Sequence, residues 1–242
     1  MTDRIQTDLR PRVRRFAFHD IDQSPLGPGI YAWYAVAPIG RRDWEPCVRG
    51  SRDHGIDNFL RLLANHTRRF SQIKLRVSAQ SSFDTEWEGI LEDTAIESLA
   101  QMLHGLSTTV EEESTFHATI HDPKLRELFA MVLNIASPII AAPVYIGRAK
   151  CLRSRLKDHG DRISLLHRRC ADDPSYRDRL PEKDVFADRA VKTGFTDSSL
   201  EVHTWDLIEF RDAGFTDEQL TAIAISLELL LNRWHRPLLG RK

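Results

Sequence analysis

The residues best equipped for chemistry lie in one short stretch, Ala142–Gly160, APVYIGRAKCLRSRLKDHG. It carries Arg148, Lys150, Arg153, Arg155 and Lys157 before its first acid, Asp158. Read as a helix that begins after Gly147, this run holds no carboxylate at i±4 within itself to offset its self-repulsion. Uncompensated charge of that kind suits a surface that takes its missing charge from a polyanion, although most basic runs are only solvated helix faces. At about 100° per residue, Arg148, Arg155 and His159 fall within roughly 40° of one another, while Lys150, Arg153 and Lys157 project elsewhere. A second reactive group is Glu228 in AIAISLELLLNRW, whose neighbours one turn away are Ala224, Ile225, Leu231 and Asn232, none of them a cation. A carboxylate buried there without a partner is strongly unfavourable. It must meet a metal ion or an arginine from elsewhere, or lie at a solvent edge. Tyr31 and Tyr145 each sit within a short apolar strand, a commonplace position for packing.

The elements that must position these groups follow from periodicity and turn chemistry. Gly29–Val36 reads as a strand behind a Pro28-Gly29 break, Pro143–Gly147 as a second and Leu200–Asp206 as a third with Leu200, Val202, Thr204 and Asp206 on one face. Thr216-Asp217-Glu218 has the composition of a helix start, and the apolar helix it opens stops before Pro237. Between the first two strands, from about Asp53 to Ser137, helical spacing dominates. It is carried by Phe59, Leu60, Leu62 and Leu63, then Trp87, Ile90, Leu91, Ile96 and Leu99, then KLRELFAMVLNIAS ending before Pro138. The polar span from Asp161 to Ser199 has no clear pattern. The expected order is strand, helical insert, strand, basic helix, strand, apolar helix.

Composition bounds the function. The chain has 242 residues, 41% of them hydrophobic, as in an ordinary globular protein. The formal net charge of −1 conceals a division. Ala142–Cys170 holds eight Lys/Arg against two Asp, and Ser81–Glu127 holds eleven Asp/Glu against two Lys/Arg. No apolar run reaches the length of a membrane span, and the first residues lack a secretory pattern, so no membrane partner is expected. Cys47, Cys151 and Cys170 are widely spaced without a CxxC, which favours reduced thiols in a cytoplasmic protein. The ten histidines read as scattered, without an HExxH or HxxxH pairing, which argues against a zinc hydrolase.

Taken in order, the motifs resemble the GIY-YIG nuclease family. Gly29-Ile30-Tyr31 supplies its first element and Tyr145-Ile146-Gly147 its second. Arg155 stands where the family places its arginine, and Arg148 where lysine is frequent. His159 occupies a position held by tyrosine or histidine, and its histidine form is similar to GIY-YIG restriction endonucleases. Glu228 precedes Pro237 with the family's spacing. Two departures accompany the match. The two strands, a hairpin in most members, are separated here by the span from residue 36 to residue 142, and Gly240 stands where the family ends on asparagine. The implied fold is α+β, a small mixed sheet flanked by helices, with an inserted α-helical lobe. Its divisions are an N-terminal arm over 1–27, a discontinuous nuclease domain over 28–50 and 138–242, and the insertion over 51–137.

The resemblance implies metal-dependent hydrolysis of DNA phosphodiester bonds, in a restriction or genome-defence setting. Glu228 would hold Mg²⁺ or Mn²⁺, and Arg155 would stabilise the charge of the transition state. Tyr31, Tyr145 and His159 would position and deprotonate the attacking water, with the general base left open among them. Arg148, Lys150, Arg153 and Lys157 would grip flanking phosphates. The insertion would serve a homodimer, target recognition or a partner protein. The alternative is a catalytically inactive GIY-YIG fold that binds nucleic acid or protein.

Overall fold

The computed structural model describes residues 13–71, 75–80, 86–91, 110–180 and 185–240. By internal contacts the chain forms two units, Met1–Val36 with Ser137–Lys242, and Ala37–Ala136. The first unit opens with β1 (Val13–Ala17) and β2 (Gly29–Ala35). The second holds α1 (Arg41–Trp44), β3 (Val48–Arg49), β4 (Arg52–Asp53) and α2 (His54–Ser71). It continues with β5 (Leu75–Gln80), β6 (Glu86–Leu91), α3 (Val110–His121) and most of α4 (Pro123–Ile140). The chain then returns to the first unit with β7 (Tyr145–Ala149), α5 (Leu152–Asp172), α6 (Phe186–Lys192), β8 (Leu200–Asp206) and α7 (Asp217–His235).

The first unit is built on a four-stranded sheet in the order β1-β8-β2-β7. The class is the expected α+β with helices flanking a small sheet, but every pairing is antiparallel rather than mixed. Alternation along the strands sends successive side chains to opposite faces. Ile30, Ala32 and Ile146 pack with Leu220 and Ala224 of α7 on one face. Tyr31, Trp33 and Tyr145 take the other, where the Trp33 and Phe186 rings stack at 5.5 Å and Tyr145 lies 4.7 Å from Phe186. Thr216 caps α7 by accepting from the Gln219 N–H, while the Gln219 side chain accepts from the Thr216 N–H. This is the helix start that the sequence announces. Gly29 needs to be glycine: a Cβ there would lie 2.2 Å from the Trp205 carbonyl oxygen.

Several expectations are corrected. The segment read as an arm over 1–27 contributes β1, which pairs with β8 from Val13↔Trp205 to Ala17↔Glu201. An edge strand with three exposed residues has no apolar alternation to betray it. The basic helix starts at Leu152 rather than after Gly147, because β7 stays paired with β2 as far as Gly29↔Ala149. Arg148 is therefore a strand residue, Lys150 lies between strand and helix, and neither shares a helical face with Arg155 and His159. The insertion starts at Ala37 rather than at residue 51. It is not wholly helical, since Trp87, Ile90 and Leu91 belong to β6, which pairs with β5. Ile96 and Leu99 fall outside the described residues. Helix α4 runs past Pro138 instead of ending before it.

Within the second unit, Phe59, Ile120 and Ala130 form the buried centre. Arg126, fully buried, donates to the carbonyls of Trp44 and Ile120 and to Asp53 Oδ2 at 2.6–2.7 Å. No helix among the described residues is long and apolar enough to cross a membrane.

Candidate functional site

Four of the five expected catalytic side chains meet on one face of the sheet. Tyr31 from β2 and Tyr145 from β7 approach with ring centroids 6.1 Å apart. His159 of α5, one helical turn beyond Arg155, faces both rings at 5.8 and 6.1 Å. The Tyr31 hydroxyl is the hub. It lies 2.9 Å from His159 Nε2, a residue 128 positions away in the chain, and Arg155 and Tyr145 both act on its proton from nearby. Gly147 makes this possible, since it pairs with Tyr31 across the strands. A Cβ at Gly147 would sit 2.6 Å from the Tyr31 hydroxyl and 2.8 Å from Tyr145 Cε1, so the glycine is the floor on which both phenols rest. That requirement could have been anticipated from a glycine between two tyrosine strands, but only once their register was known.

The α5 start is fixed by the loop before β2. Leu152 and Arg153 donate their first-turn N–H groups to the Gly27 and Pro25 carbonyls at 3.0 and 2.9 Å. The Arg153 guanidinium adds a bond to the Ser24 carbonyl at 2.7 Å. Arg153, expected on a phosphate, thus has one donor committed to the fold. Lys150 and Lys157 are exposed. Arg162, on the same helix, clamps the buried carboxylate of Asp188 on α6 with two bonds at 2.9 and 2.7 Å.

Burial sets the protonation of the cluster. Tyr31 and His159 are 1% and 2% exposed. Desolvation, with the positive charge of Arg155 added, lowers the His159 pKa to about 3 from 6.5. The imidazole is neutral at neutral pH, and in its Nδ1–H tautomer Nε2 accepts the Tyr31 proton. Burial, joined by the neighbouring Tyr145, pushes the Tyr31 phenol well above its ordinary value, against the opposing pull of Arg155. A Tyr31 phenolate at neutral pH is therefore disfavoured, contrary to the lowered pKa that a neighbouring arginine suggests by itself.

Glu228 is elsewhere. It stands on α7, against the opposite face of the sheet, and its Oε2 takes Arg148 Nε at 2.8 Å. Of the three fates open to this carboxylate in the sequence, the structure selects an arginine from elsewhere in the chain. Because β7 is an edge strand, Arg148 and Gly147 place the ion pair and the phenol cluster at successive residues on opposite faces of one strand. Among the described residues no group of three or more His, Cys, Asp or Glu could hold a metal. The donor set fits only a hydrated hard cation that takes one protein carboxylate and completes its shell with water and phosphate oxygens. Glu228, a half-buried carboxylate paired with Arg148, is the group placed for that role.

Two further residues complete the neighbourhood. Asn232 donates to the Glu228 carbonyl at 2.8 Å and reaches the Ile146 carbonyl of β7 at 3.5 Å. At Gly240 a Cβ would lie 2.9 Å from Pro237 and 3.4 Å from Asn232 Oδ1, so this backbone has no room for the family's asparagine side chain. The amide beside that place belongs to Asn232. In the second unit His117 and His121 stand one turn apart on α3 with stacked rings at 3.7 Å, an HxxxH pair that corrects the reading of the histidines as scattered.

No family model, curated protein or solved structure matches the chain.

Proposed function

We propose that the chain is a metal-dependent DNA endonuclease of GIY-YIG type. The observation that carries this reading is the meeting of Tyr31 with Tyr145, Arg155 and His159, brought from a strand more than a hundred residues earlier in the chain. Packing alone does not require a phenol and an imidazole to share a buried hydrogen bond beside a guanidinium, because each polar group so placed is costly unless satisfied.

The chemistry follows from protonation. Water attacking a phosphodiester must lose a proton, and the neutral His159 Nε2 can receive one through the Tyr31 hydroxyl. As the water hands its proton to the Tyr31 oxygen, Tyr31 passes its own to Nε2. The hydroxide forms the new bond to phosphorus while the bond to the leaving oxygen breaks. Arg155, whose charge already acts on Tyr31, would face the extra negative charge of the transition state. A phosphate on Arg155 also neutralises part of the charge that depresses His159, which makes the imidazole a better base when substrate is present. Tyr145 would orient the relay through its ring contact with Tyr31. Glu228, on the other face of the sheet, would hold Mg²⁺ or Mn²⁺, which would supply a Lewis acid for a phosphate and its leaving oxygen at the edge of β7. Arg148, Lys150, Arg153 and Lys157 would hold the flanking backbone. DNA as partner, a cytoplasmic location and a restriction or defence role belong to this same reading. Cys47, Cys151 and Cys170, all free thiols, are in keeping with it. A homodimer or partner protein through the insertion is supported by Leu125, Leu128, Val132 and Ile135 on α4, all 46–59% exposed and spaced as a helix-pairing seam.

A second reading has its own observation. The cluster is almost wholly buried and Glu228 is engaged by Arg148 on the other sheet face. A catalytically inactive fold that binds nucleic acid or protein would look the same. Purified protein incubated with Mg²⁺ and duplex, single-stranded or branched DNA, beside an Arg155→Ala control, separates the two. Cleavage that vanishes in the control supports the nuclease; binding without cleavage supports the inactive fold.

A further inference from the structure

We infer that the Arg148–Glu228 ion pair is a latch that keeps Glu228 from a divalent cation until a phosphate takes Arg148 away, so that nucleic acid prepares the metal site. The inference rests on the nuclease reading and adds an order of binding to it. Three observations carry it. Arg148 Nε holds Glu228 Oε2 at 2.8 Å, and the arginine side chain is 40% exposed, so it can leave without disturbing the core. Glu228 has no cation one turn away on its own helix, so Arg148 is its charge partner among the described residues. Arg148 adjoins Gly147, the floor of the phenol cluster, on the edge strand β7, so the ion pair sits one residue from the cluster on the other face of that strand.

The physics is a competition for one carboxylate. A guanidinium on Glu228 opposes a divalent cation twice, by occupying an oxygen and by like-charge repulsion. A phosphate attracts the same guanidinium, often through two parallel bonds, and relieves both. Because the pair is partly exposed, the latch is weak. An ion pair of this kind shifts a binding constant by about fivefold.

Two binding measurements on the full chain test it, neither needing turnover. In the first, Mn²⁺ binding without nucleic acid is followed by electron paramagnetic resonance. Arg148→Gln should bind about fivefold more tightly than the wild type, and the gain should vanish in the Arg148→Gln/Glu228→Gln double variant. Equal Glu228-dependent affinity with and without Arg148, or weaker binding by Arg148→Gln, overturns the latch and leaves the nuclease reading standing. Absence of any Glu228-dependent Mn²⁺ binding overturns the latch together with the assignment of Glu228 to the metal. In the second, the affinity for a fluorescent mixed-sequence duplex in EDTA is compared across the wild type, both single variants and the double variant. Glu228→Gln should tighten duplex binding only where Arg148 is present. The same gain in the Arg148→Gln background would mean simple removal of carboxylate repulsion and would overturn the exchange of partners.

Discussion

His159 is buried as a neutral imidazole, and that choice leaves a mark on stability. The unfolded chain binds a proton at this residue near pH 6.5, the folded chain only at about pH 3. Between those values the unfolded state binds more protons, so the contribution is complete above about pH 6.5 and is lost as the pH falls toward 3. His159→Gln should have a lower melting temperature than the wild type at pH 7, with the difference narrowing steadily toward pH 4. A constant difference across that range would show that His159 is not held neutral. The neighbouring glycine makes a second, sharper prediction. In Gly147→Ala the new methyl would press on the Tyr31 hydroxyl at 2.6 Å and the Tyr145 ring at 2.8 Å. Overpacking of that sort costs about 1–3 kcal/mol and takes the donor away from His159 Nε2. Urea denaturation should report the stability loss. Cleavage should fall further than the fraction unfolded explains, because the relay is broken in molecules that still fold.

At the scale of elements, α5 combines two jobs that its composition does not separate. Arg153 and Lys157 look equivalent in a basic run, yet Arg153 ties the helix start to the Ser24 carbonyl while Lys157 points to solvent. Arg153→Ala should therefore destabilise the fold by about 1–3 kcal/mol, the range for a lost charged hydrogen bond. Lys157→Ala should leave stability within about 0.5 kcal/mol and reduce the slope of log affinity against log salt by about 0.9 in duplex binding. Equal salt slopes with equal stability losses would deny the division of labour. The same helix shows what sequence reveals. Strands β2, β7 and β8 and helix α7 were legible because their apolar periodicity is strong and their ends carry turn or capping residues. The meeting of Tyr31, Tyr145, Arg155 and His159 was legible through their order. The partner of Glu228 was not, because an ion pair between a strand residue and a helix far along the chain leaves no local spacing. Nor was β1, whose partner β8 supplies the pairing that VRRFA does not advertise. The tail of α5 to Asp172 was hidden by its polarity, since its buried positions Ile163 and Leu166 are few among charged neighbours.

At the scale of the whole molecule, the chain interrupts β2 and β7 with a second unit of its own, and the first unit closes without it. Trp33 pairs with Tyr145 at the inner end of the two strands, and the Val144 N–H donates to the Trp33 carbonyl at 2.8 Å. Val36 is fastened to the Ser199 carbonyl at 2.9 Å, and Leu239 to that of Val144 at 2.7 Å. These bonds lie within the first unit, so the strand ends are held together by their own ladder and by the turn before β8. A chain in which residues 37–142 are replaced by a short Asn-Gly linker should therefore fold as an ordinary hairpin-centred domain. Shortening the connection from 106 residues to two, about fiftyfold, favours closure by about 3.5 kcal/mol if the insertion behaved as free chain. The excision also removes the acidic span Ser81–Glu127 and leaves the remainder net positive, with the Arg148–Lys157 basic run intact. One cooperative thermal transition and duplex binding at least as tight as that of the full chain are the expected results. A shortened chain that melts without cooperativity would show that the second unit supplies structure the sheet lacks. One that folds but no longer binds duplex would move the nucleic-acid contact into the second unit, away from Arg155.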